Sequence, residues 1–79
     1  MQKRLDQFRI GETGQITKVE GEGRIRRRLF DMGVTPGAQV YLRKVAPLGD
    51  PLEINIRGYE LTLRKDEAKL VILEMEETK

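Results

Sequence analysis

Cysteine, histidine and tryptophan are absent from this 79-residue chain, and its aromatic side chains number only two phenylalanines and two tyrosines. Without thiols there is no disulfide framework, thiolate metal site or cysteine nucleophile. The missing imidazole removes the Ser-His and Cys-His arrangements, the zinc sites built on nitrogen and sulfur, and the usual general base at neutral pH. Scarce aromatics leave little to stack nucleic-acid bases on or to line a groove for proline-rich peptides. No Gly-Lys-Ser/Thr ending of a Walker A loop occurs, and Gly21-x-Gly23 lacks the third glycine of a dinucleotide fingerprint. No apolar run approaches the roughly 20 residues that span a bilayer, and Met1-Gln2-Lys3-Arg4-Leu5-Asp6 has no signal-peptide h-region. These absences point to a non-enzymatic, cytoplasmic chain with no cofactor and no direct membrane insertion.

Size and charge narrow the reading further. Residues 1–79 are expected to form one domain, and a chain this short buries only about 60–65% of its unfolded surface, too little for a deep catalytic cleft. The net charge is +2, less basic than a dedicated nucleic-acid binder. It is uneven, however: a mildly basic body is followed by an acidic tail at about residues 74–79.

Periodicity supplies the elements. Ile16 and Val19 among polar neighbours predict a strand over 15–20, after a turn at Gly11-Glu12-Thr13-Gly14. Ile25, Leu29 and Met32 recur at helical spacing and predict a helix over 24–32. Gly33 supplies its left-handed stop, Val34 the accompanying apolar contact, and Pro36-Gly37 the centre of a type II turn. Val40 and Leu42 mark a strand over 39–45, with Tyr41, Arg43 and Val45 on its other face. A stiff loop, Ala46-Pro47-Leu48-Gly49-Asp50-Pro51, follows. Leu52, Ile54 and Ile56, then Tyr59, Leu61 and Leu63, alternate with polar residues around Arg57-Gly58 and predict a hairpin over 52–64. One helical turn at 65–69 precedes a last strand at 70–75. The expected fold is mostly β: a small, SH3-like, partly open barrel of five short antiparallel strands, with one inserted helix and a short helical turn before the last strand.

Arg24, Arg26, Arg27 and Arg28 crowd one short helix. They fit a solvated face, a protein contact surface in which guanidinium groups meet carboxylates, or a nucleic-acid contact that the charge balance and scarce aromatics disfavour. Phe30 lies about 100° round the helix from Leu29, as a core edge or an exposed anchor, and Leu48 at a loop tip is a second anchor candidate. The carboxylate groups Glu20 with Glu22, Asp50 with Glu53, and Glu74 with Glu76 and Glu77 read as solvated charge, since ferrous sites commonly use imidazole or thiolate.

Three segments carry a resemblance. Arg28-Leu29-x-Asp31-Met32-Gly33-Val34-Thr35-Pro36-Gly37, Ala46-Pro47-Leu48-Gly49-Asp50-Pro51-Leu52-Glu53-Ile54 and Arg57-Gly58-Tyr59-Glu60-Leu61-x-Leu63-Arg64-Lys65-x-Glu67-Ala68 resemble the ferrous iron transport protein A (FeoA) family, in its order and spacing. The resemblance implies an SH3-like barrel carrying an extra helix, acting as a cytoplasmic accessory of a membrane ferrous-iron transporter whose cytosolic part is a GTPase. The chain would then reach the inner membrane only through that partner. A related domain ends iron-dependent repressors, so a metal-responsive regulatory domain is the alternative. The expected contact set is Arg24, Arg26, Arg27, Arg28, Phe30 and Leu48, and weak self-association through an open sheet edge is a further expectation.

Overall fold

The computed structural model describes residues 1–76. Its elements are β1 (Gln2–Arg4), a 3-10 turn (Leu5–Gln7), β2 (Thr13–Val19), α1 (Gly23–Asp31), β3 (Gln39–Val45), β4 (Leu52–Ile56), β5 (Tyr59–Leu63), α2 (Lys65–Ala68) and β6 (Val71–Met75). All pairings are antiparallel in one curled sheet of order β1-β6-β2-β3-β4-β5, an SH3-like barrel left open between β1 and β5.

The strand that periodicity does not reveal is β1. Its three residues are polar, it pairs only with β6, and as a sheet edge it has no alternation to display. Leu5 and Phe8 are buried immediately after it.

Two β-bulges explain where simple alternation fails. Register shifts between Ile16 and Lys18, so Ile16 and Val19, three residues apart, both face the core. A second shift between Leu42 and Lys44 turns Val45 inward against the core, opposite Leu52, and not outward with Tyr41 as strict alternation predicts. Gly14 is likewise no turn residue. It is a buried position of β2, where a Cβ would come within 2.9 Å of the tip of the Phe8 ring and 3.1 Å of the Glu74 carbonyl oxygen, so a side chain there would displace Phe8 or the strand.

The interior is built from Ile16, Val40, Leu42, Ile54, Ile56, Leu63, Val71 and Leu73 of the strands, all at most 2% exposed. Burying each such side chain contributes about 1.5–3 kcal/mol relative to exposure. The β4–β5 hairpin turns in two residues, with Arg57 at φ 50° and Gly58 at φ 85°, the left-handed pair that matches strand twist. Its second apolar triplet is graded and not uniformly buried: Leu63 is enclosed, Leu61 half-buried, and Tyr59 43% exposed.

Candidate functional site

Helix α1 ends as its sequence dictates. The Val34 N–H donates to the Leu29 carbonyl (2.9 Å) and the Gly33 N–H to the Phe30 carbonyl (3.0 Å), the paired bonds of a Schellman stop with Gly33 at φ 90°. Leu29 and Val34, the apolar pair of that motif, are both fully buried. The Ala38 N–H then bonds the Thr35 carbonyl at 3.1 Å, closing the turn around Pro36-Gly37.

The hairpin tip holds this helix end from outside. The Tyr59 hydroxyl donates to the Met32 carbonyl, Arg57 Nε donates to the Gly33 carbonyl at 3.2 Å, and Arg57 Nη2 donates to Thr35 Oγ1 at 2.6 Å. The phenol takes up one of the carbonyls that every helix C-terminus leaves unpaired, and Arg57 places a cation at its negative end. Sequence reasoning missed this clamp. Its one signal is a phenol at the exposed end of an otherwise aliphatic strand face.

Helix α1 meets the core through its C-terminal half. Leu29 is buried, Phe30 and Met32 are half-buried, and Ile25 is 51% exposed, so the expected apolar stripe does not extend to the first turn. The helix begins where Glu22 is extended and makes no side-chain cap, leaving its N-terminal end lightly held.

The structure divides the four arginines. Arg26 folds back: its Nε donates to the Val19 carbonyl (3.1 Å) and its guanidinium lies 4.5 Å from the centre of the Phe30 ring. Arg28 reaches Glu67 Oε2 at 3.4 Å. Glu67, only 8% exposed, also accepts the Arg64 N–H at 2.9 Å, so one carboxylate joins the start of α2 to α1. Arg24 and Arg27, on the outward face, meet no carboxylate among the described residues. Leu48 stands 94% exposed at the tip of the β3–β4 loop. That loop and α1 share a cleft lined by Arg28, Asp50, Pro51, Thr62, Arg64 and Glu67.

Four of the carboxylates considered for metal, Glu20, Asp50, Glu74 and Glu76, are occupied by cations and amides. Glu20 accepts from Arg4 Nη1 at 2.6 Å, and this bond holds its carboxyl below the usual range. Asp50 accepts the Lys65 N–H at 2.9 Å, Glu74 pairs with the N-terminal ammonium, and Glu76 accepts from Gln39 at 2.8 Å. Glu77 lies outside the described residues. Among the described residues no three Asp or Glu side chains converge. Glu12 is also lowered, first by the Arg9 N–H at 2.7 Å and then by Lys3 at 3.1 Å. No described helix is long and apolar enough to cross a membrane.

Known proteins share this pattern. The FeoA domain family model matches residues 3–75. The Fe(2+) transport protein A/Fe(2+) transporter FeoB fusion protein of Porphyromonas gingivalis is 33% identical over 72 residues, which are 91% of this chain and 8% of the fusion protein. The solution structure of a FeoA-like protein from Clostridium acetobutylicum superposes with a TM-score of 0.90 at 33% identity, covering 99% of this chain and 91% of that one. Stenotrophomonas maltophilia FeoA, described as an SH3 domain protein and solved with zinc, superposes at 0.76 with 26% identity over 94% of this chain and 89% of its own. A manganese-dependent transcriptional repressor, 13% identical with a TM-score of 0.87 over 95% of this chain and 42% of its own, shares the fold alone. The chain belongs to the FeoA domain family.

Proposed function

We propose that the chain is a non-enzymatic accessory of ferrous iron uptake that docks on the cytosolic, GTPase-containing part of the membrane iron transporter and modulates it. The observation that carries this reading is the fusion relative, in which a homologous segment and the transporter are one polypeptide. The geometry supports it: Arg24 and Arg27 project from a helix whose exit angle is set by the Schellman stop and the Arg57–Tyr59 clamp, and Leu48 offers an apolar anchor at the tip of the β3–β4 loop. Neither cysteine nor histidine is available for catalysis, which supports a role through contact.

The test is association of the chain with the transporter's soluble GTPase domain, with and without guanine nucleotide, and with the full-length membrane protein. Saturable binding, weakened about tenfold or more by Arg27→Glu, is the expected result. No association with either form would sink the docking reading. A metal-responsive regulatory domain is the second reading, favoured by the zinc-bound relative. Anaerobic calorimetry with ferrous iron decides it, since stoichiometric binding tighter than about 10 μM would put the metal reading first.

A further inference from the structure

Strand β5 ends the sheet, and one side of its main chain is unpaired. The two-residue turn makes Ile56 and Tyr59 a hydrogen-bonded pair, and alternation makes Ile54 with Leu61 and Leu52 with Leu63 hydrogen-bonded pairs too. The N–H and C=O groups of Glu60 and Thr62 therefore point away from β4, and no described residue takes them up. Such an edge is a template for another extended segment.

Charge selects the occupant. Arg57 precedes the strand, Arg64 and Lys65 follow it, and Arg28 and Arg64 line one cleft with Thr62. The two carboxylates of that cleft already have partners: Asp50 accepts the Lys65 N–H, and Glu67 accepts the Arg64 N–H and pairs with Arg28. The strand's own acidic residue, Glu60, is neutralised by an ion pair with Arg43. The Arg64 guanidinium meets no carboxylate among the described residues, and Arg28 keeps donors to spare beside Glu67. A second copy pairing about Leu61, the register that matches all of β5, would set Arg57 opposite Lys65 of the other copy at both ends, with like charges facing. An acidic segment meets the opposite situation, with cations at both ends of the strand and two guanidinium groups flanking one side-chain position.

We propose that the β5 edge binds an extended acidic segment of a partner protein by strand addition. Main-chain bonds form to Glu60 and Thr62, and one carboxylate of the segment is held between Arg28 and Arg64. The proposal deepens the docking reading and rests on it for the partner's identity, whereas binding of a model peptide stands or falls without the transporter.

The test is a titration of the isotope-labelled chain with a short capped peptide alternating glutamate and valine, and with its lysine-for-glutamate counterpart. Saturable binding of the glutamate peptide alone is expected, with amide exchange at Glu60 and Thr62 slowed about tenfold or more. Arg64→Glu, which leaves the strand intact, weakens binding about tenfold or more. Thr62→Pro deletes an outward N–H without touching the β4 ladder and abolishes it. No binding, equal binding of the lysine peptide, or glutamate-peptide binding with exchange at Glu60 and Thr62 unchanged would overturn the proposal. So would protection of those two amides that rises with protein concentration alone, which would assign the edge to a second copy.

Discussion

The sheet and α1 are held by different means. Across the sheet, every central strand contributes two or more buried aliphatic side chains to one core, and truncating any of them opens a cavity. Helix α1 contributes a single buried residue, Leu29, with Phe30 and the following Met32 half-buried, and is otherwise fixed by the Arg26 bond to the Val19 carbonyl, the Arg57–Tyr59 clamp and one ion pair, Arg28–Glu67. Stability therefore resides in the sheet, while the charged surface is carried on an element with little burial of its own. Such an element can open locally without the rest unfolding.

Paired truncations should expose that difference most strongly. Ile54→Ala, in the centre of the sheet, is expected to cost about 3–4 kcal/mol in urea denaturation and to lower protection of all sheet amides together. Leu29→Ala should cost about 2–3 kcal/mol, with α1 amides losing protection first and the sheet's retained. Equal loss of protection across helix and sheet in both variants would erase the distinction.

The clamp sharpens it. Gly33→Ala puts a side chain at φ 90° and within 2.5 Å of the Tyr59 hydroxyl oxygen, so a loss of about 1–2 kcal/mol and displacement of the helix end are expected. Tyr59→Phe removes only the bond to the Met32 carbonyl, at about 1 kcal/mol, and its chemical-shift changes should concentrate at the α1 C-terminus.

The smallest effect is in pH. Glu12 and Glu20 are held below their unfolded-state value of about 4.3, so they stabilise the fold above that pH. Their contribution disappears as pH falls from there through the lowered folded values. The urea midpoint followed from about pH 6 to 3 should therefore drop less steeply for Glu12→Gln than for the parent chain.

Much of this architecture is legible in the sequence because it is local. The 52–64 hairpin, the Gly33 stop and the Pro36-Gly37 turn each depend on residues within a few positions, and the structure forms them there. What sequence hides depends on distant contacts or on parity. The bulges in β2 and β3 invert alternation without any compositional mark, and β1 is too short and too exposed to show a pattern. The four arginines are alike in sequence because the partners that distinguish them, the Val19 carbonyl and Glu67, are brought to the helix by the fold. Ile25 has helical spacing yet remains exposed, because α1 leans on the sheet only beyond Arg28.

In the proposed function the outward arginines act on a partner and not on the fold. The most direct measurement compares Arg24→Glu/Arg27→Glu with the parent chain in both urea denaturation and association with the transporter's GTPase domain. The expected outcome is an unchanged urea midpoint with association weakened by about a hundredfold. Undiminished association, or weakening matched by an equivalent loss of stability, would contradict it.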